Sequence, residues 1–115
     1  MIERIGMTAR WSDAVVVDNL VFLAGHVAEA TRGQAIGPQT EEVLNDLEAT
    51  LVKAGSSKAR LASVTIYLAD MANFAGMNAA WDAWVDKDNA PARATVEARL
   101  AHSDYAIEIT GVARR

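Results

Sequence analysis

Three stretches of the chain alternate apolar with polar residues, two short apolar runs flank a turn pair, and two longer stretches carry apolar residues at helical spacing. The most regular alternation runs from Pro91 to Leu100. Ala92, Ala94, Val96, Ala98 and Leu100 alternate there with Arg93, Thr95, Glu97 and Arg99. This is the period of a strand with one apolar and one polar face. Pro91 cannot donate a ladder hydrogen bond, which suits the first residue of a strand. Residues 105–112 alternate too, with Tyr105, Ile107 and Ile109 apolar and Glu108 and Thr110 polar. As neighbours, these two strands would carry Arg93 and Glu108 on one sheet face. Residues 62–69 set Val64, Ile66 and Leu68 against Ser63, Thr65 and Tyr67.

Residues 2–5 read as a short strand and 6–13 as irregular. Ala14–Val17 and Leu20–Ala24 flank Asp18-Asn19, a pair that tolerates the left-handed backbone of a tight turn, so a β-hairpin is expected. Gly25 would end its second strand, and residues 26–38 read as a loop. A helix is expected over about 40–54, with Val43, Leu44, Leu47 and Leu51 on one stripe, acidic residues in its first turn and Gly55 just past its end. Asp70 would cap a second helix over about 71–86, with the stripe Phe74, Met77, Asn78, Trp81, Trp84 and Val85. The order β, β-hairpin, α, β, α, β, β predicts an α+β fold of one domain, residues 1–115, with both helices on one sheet face. The other face would carry Ser63, Thr65, Arg93, Thr95, Glu97, Glu108 and Thr110. Copies of the same chain could cover it in a closed ring.

Composition narrows the function. The 115 residues are 51% hydrophobic and the net charge is −4. No basic block stands out, which disfavours nucleic acid as a partner. Cys is absent, which excludes thiol nucleophiles and thiolate metal sites and fits a reducing compartment. No apolar run is long enough to span a bilayer or to serve as a signal peptide, so the expectation is a cytoplasmic protein. His26 and His102 are isolated, and no carboxylate cluster has metal-ligand spacing, so no metal site is expected. Arg93 and Glu108 on one face would form either a structural ion pair or a site, and the residues alone leave both open.

Pro91-Ala92-Arg93-Ala94-x-Val96-x-x-Arg99-x-Ala101, followed by Ile107-Glu108-Ile109, resembles the C-terminal signature of the RidA/YjgF proteins, which are imine and enamine deaminases. The similarity extends over about residues 10–113, through Phe22-Leu23-Ala24-Gly25-His26, Gln39-Thr40, Leu51-x-x-Ala54-Gly55, Val64–Leu68, Asp70-Met71 and Phe74-x-x-x-Asn78. The resemblance implies a chorismate-mutase-like fold and a homotrimer whose sheets form a central barrel, with clefts between subunits. It implies cofactor-free hydrolysis of enamines and imines such as 2-aminoacrylate to 2-keto acids and ammonia.

The residues carried over are Arg93 and Glu108 as catalytic, with Trp11, Ala24, Gly25, Asn78, Ala94 and Thr95 around the substrate. Arg93 offers a planar fork for a substrate carboxylate. Glu108 is a proton or water partner, or only a group that holds Arg93 in place. Asn78 reads more readily as a buried structural amide than as a ligand. His26 stands where many relatives have Gln, and reads as a solvated loop histidine with a proton-transfer role open. Three departures imply a changed pocket: Ala24 lacks the usual hydroxyl, Thr95 replaces a frequent Cys, and Trp11 replaces a frequent Tyr. A non-catalytic carboxylate-binding trimer and a hydrolase of a carbamate or aminoacrylate-type intermediate are the competing functions.

Overall fold

The structure, a computed structural model, describes residues 1–115. Six strands form one mixed sheet: β1 (Ile2–Ile5), β2 (Ala14–Val17), β3 (Leu20–Val27), β4 (Leu61–Leu68), β5 (Ala92–Glu97) and β6 (Ile107–Arg114). Their spatial order is β1-β2-β3-β6-β4-β5. Only the β4–β5 pair is parallel. Helices α1 (Ile36–Lys53) and α2 (Phe74–Trp84) pack on each other, and α1 packs on β3 and β6. No helix is long and apolar enough to cross a membrane.

The apolar stripe of α1 meets the sheet as its spacing predicts. Val43, Leu44, Leu47 and Leu51 are buried against Val21, Val64, Ile66, Leu68, Ile107 and Ile109 in one cluster. Each large side chain so buried contributes about 1.5–3 kcal/mol. Asp18, at φ 53°, makes the β2–β3 turn, and Gly55, at φ 81°, stops α1. The strand-and-helix order and the α+β class hold.

Several boundaries differ from expectation. α1 begins at Ile36, before Pro38, because the first turn of a helix has no intrahelical use for the N–H that proline lacks. The first turn therefore holds no acidic residue, and Glu41 and Glu42 follow it. Asp70 caps a 3-10 turn, Met71–Asn73, by accepting from the Ala72 N–H at 2.9 Å, and α2 proper starts at Phe74. β3 runs past Gly25 to Val27 through a register shift between Leu23 and His26. His26 thus lies in a strand rather than a loop.

The largest correction concerns the faces of β5. Its register pairs Val64 with Arg93, Ile66 with Thr95 and Leu68 with Glu97. Paired residues share a face, and Val64, Ile66 and Leu68 are buried under the helices. Arg93, Thr95 and Glu97 therefore point to the helix side, and Ala92, Ala94 and Val96 to the open side. Glu108 pairs with Tyr67, on the open side. β4 lies between β5 and β6, so Arg93 and Glu108 are neither on neighbouring strands nor on one face. As an edge strand, β5 sits at the margin of the helix layer, where polar side chains find room beside α2.

Glu42 secures the chain that leads into α1. Its carboxyl accepts from the N–H groups of Ala30 (3.0 Å) and Thr31 (2.7 Å) and from the Thr31 hydroxyl (2.6 Å). Burial opposes its charge, but these hydrogen bonds prevail and hold it below the usual carboxylate range. Such a group stabilises the fold above its unfolded-state pKa, and the contribution is lost as pH falls through the folded value. Glu42→Gln should lower stability near neutral pH by about 1.5–3 kcal/mol. The gap to wild type should close on acidification below the carboxylate range. Urea unfolding at both ends of that pH range checks this, and a pH-independent gap would contradict it.

Candidate functional site

The expected site residues fall into two clusters. The first lies on the helix side, where α2 meets β5. Phe74, Asn78 and Trp81 are spaced four and three residues apart, so they share one face of α2. Arg93 and Thr95, two residues apart, share the facing side of β5. The Arg93 guanidinium carbon lies 5.3 Å from the Trp81 ring centre and 6.0 Å from that of Phe74. None of the three ion pairs in the chain includes Arg93, so the ion pair with Glu108 is absent. Its charge is held by aromatic faces, at roughly 0.5–2 kcal/mol. Beside it, Asn78 Oδ1 and Thr95 Oγ1 are buried with no hydrogen-bond partner. Each such orphan costs about 1–3 kcal/mol.

The second cluster surrounds the β3 irregularity. Glu108 pairs with Val27 across the β3–β6 ladder. Its carboxyl lies over Gly25 so closely that a Cβ there would collide with Oε2. A shallow cleft of about 190 Å³ is lined by Trp11, Asp13, Gly25, His26, Val27 and Glu29. Trp11 is 58% exposed at its rim. Its backbone is fixed by Thr8, whose N–H reaches the Trp11 carbonyl at 2.7 Å and whose hydroxyl accepts from the Trp11 N–H at 3.1 Å. The Ala24 N–H donates to the Asp13 carbonyl at 2.9 Å.

His26 is half-buried on the helix side, not a solvated loop residue. Nδ1 meets the Ala24 carbonyl at 2.7 Å and Nε2 meets Thr50 Oγ1 at 2.9 Å. The carboxyl of Asp46, one turn before Thr50, is raised above the usual range, first by burial and then by Glu42, with His26 opposing. No three His, Asp or Glu side chains converge where they could hold a metal ion.

Arg93, Asn78 and Thr95 are thus brought together, as are Trp11, Ala24, Gly25 and Glu108, while the two groups stay apart. Ala94 faces the open side, away from Arg93. The aromatic shelf of Phe74 and Trp81 was missed from sequence. Its signal was the spacing 74, 78, 81 on one stripe, which read as core. Arg93→Met and Trp81→Leu should be coupled by about 0.5–2 kcal/mol in a double-mutant cycle on urea unfolding. Additive losses would show that the ring and the guanidinium do not interact.

The sequence model of the family described as Endoribonuclease L-PSP matches residues 1–115. A RutC family protein from Haemophilus influenzae is 44% identical over 97% of both chains. The RutC family protein YoaB from Escherichia coli is 45% identical over 97% of this chain and 96% of its own. A crystal structure of a YjgF-family member from Neisseria meningitidis superposes with a TM-score of 0.97 at 42% identity, covering 100% of this chain and 95% of that one. The six-stranded sheet with two helices is the fold they share, and the chain belongs to this RutC/YjgF/L-PSP family.

Proposed function

We propose that the chain is a cofactor-independent deaminase of the cytoplasm that hydrolyses small 2-imino acids and their enamine tautomers to 2-keto acids and ammonia, in clefts formed between copies of the chain in a trimer. The observation that carries this reading is Arg93. It is a guanidinium with no counter-ion, held by rings that leave its N–H edge for a ligand, beside two orphaned polar atoms. A 2-imino acid supplies what the cluster lacks. Its carboxylate takes the arginine fork.

Hydrolysis also needs a base. Glu108 takes a proton from water as the oxygen bonds to the imine carbon, and the nitrogen gains a proton. The carbinolamine then collapses: Glu108 carries the hydroxyl proton to the nitrogen, the carbonyl forms, the C–N bond breaks and ammonia leaves. Within one chain Glu108 lies across the sheet from Arg93, so the two act together only if different copies supply them. The open face supports such an assembly. Leu20 and Phe22 on β3 and Val96 on β5 remain 47%, 44% and 41% exposed on it, apolar side chains at separate points of the face that another copy would cover.

Ammonia release from enamines generated in place by a serine dehydratase tests the reading. Wild type should exceed background. Arg93→Ala should cut kcat/KM at least about 10-fold, and Glu108→Gln should lower kcat by roughly 100-fold or more. Keto-acid binding without turnover on any imine would replace the deaminase with a carboxylate-binding protein. Arg93→Ala and Glu108→Ala chains, inactive alone, should recover about a quarter of wild-type activity when refolded together in equal amounts, by random assortment. No recovery would mean that Arg93 and Glu108 of different copies do not meet in one site.

A further inference from the structure

We propose that Arg60, Arg114 and Arg115 form a binding site for a phosphoryl anion with at least two negative charges, at the end of β6 away from Glu108. The three side chains alone line a cleft of about 410 Å³. Arg114 follows Glu108 by six residues on β6, about 20 Å along an extended strand, so a ligand here leaves the candidate cleft free. The net charge of the chain is −4, yet three of its 11 lysines and arginines converge at this point. Pairing brings them together from distant parts of the sequence. Leu61 pairs with Ala113 in the antiparallel β4–β6 ladder, and both are buried. One step outward, Arg60 stands against Arg114. Like charges set opposite each other across a ladder are destabilising, and a bound anion relieves them.

No carboxylate of the chain relieves them. Arg115 alone is paired, with Nη2 2.8 Å from Glu3, and neither other ion pair includes Arg60 or Arg114. The backbone at all three positions is fixed. Ser56 Oγ donates to the Arg114 carbonyl at 2.5 Å, and the Arg115 N–H donates to the Asn19 carbonyl at 2.8 Å. The Arg60 N–H donates to the Ser57 carbonyl at 3.0 Å, in the 3-10 turn Lys58–Arg60. The Arg115 side chain lies along Gly55, where a Cβ would come within 3.1 Å of Nε. The side chains thus start from set points, which lowers the ordering cost of binding. Charge then names the ligand class. With Glu3 counted, the cleft holds an excess of two positive charges. A monocarboxylate such as a keto acid would leave one of them uncompensated. A phosphate ester or pyrophosphate answers both, and its oxygens match the planar guanidinium fork.

Calorimetric titration of the full chain with inorganic pyrophosphate tests the site, at low ionic strength because salt screens exposed charges. One pyrophosphate should bind per chain. Arg60→Gln and Arg114→Gln should each weaken it at least about 10-fold. Lys87→Gln, which removes an exposed charge from the turn after α2, should change it less than about twofold. A nucleoside diphosphate that binds as tightly, with the same arginine dependence, would give the phosphoryl groups a nucleotide source; weaker binding than pyrophosphate would give them a free one. No pyrophosphate binding, equal losses in all three variants, or binding of a single-stranded oligonucleotide alone would overturn the proposal. Urea unfolding supplies a second test. Without ligand, Arg60→Gln should not lower the midpoint, since it removes a repulsion, and pyrophosphate should raise the wild-type midpoint more than that of the variant. A lowered midpoint would show an arginine that serves the fold, and would overturn the site as well.

Discussion

β5 pairs with β4 in parallel, and a parallel pair needs a crossover that leaves one sheet edge and returns over a face. Here the crossover contains α2, so the helix that completes the fold also covers the strand it delivers. Phe74, Asn78 and Trp81 come to lie beside Arg93 and Thr95 for this reason. The same register turns the polar side of β5 toward the helices and its small apolar residues toward the open face. Glu108, on the antiparallel neighbour of β4, stays on that open face. One pairing thus builds half a site on each side of the sheet.

The two halves hold their polar groups in different ways. Around Arg93, bonding capacity is left unused: a guanidinium on aromatic faces and two orphaned oxygens. At about 1–3 kcal/mol for each orphan, this cost is a sizeable part of the roughly 5–15 kcal/mol that separates folded from unfolded chains. Around Gly25 the bonds are crowded instead. Ala24, His26 and Thr50 form one chain to α1, and the missing Cβ of Gly25 provides the room that Glu108 occupies.

Element types were legible because they depend on local periodicity. The stripe of α1, the Asp18-Asn19 turn and the alternation of β4 each carry their own signal. The parity of β5 was not legible in the same way. Alternation shows that Arg93, Thr95 and Glu97 share a face, but only the register against Val64 says which face, and an edge strand need not turn its apolar side to the core. The start of α1 was misplaced because residues 26–38 read as a loop, although a helix's first turn accepts Pro38. His26 was misread because a bulge keeps a strand going where Gly25 suggests an end. The residues of the candidate site were found through a motif, whereas their division between two faces is a property of pairing that no motif records.

The position of β6 has a consequence for how the chain acquires its shape. It is the last strand in sequence, yet it lies between β3 and β4. Until residues 107–114 arrive, the β1–β2–β3 meander and the β4–α2–β5 unit have no strand in common, and each presents an unpaired edge. Contacts that close the sheet span most of the chain, as between Leu20 and Arg114. Such long-range closure slows folding and prolongs the exposure of sticky edges. During synthesis the sheet cannot be completed until its C-terminal strand leaves the ribosome, so the stretch that carries Glu108 is also the clasp that makes two fragments one protein.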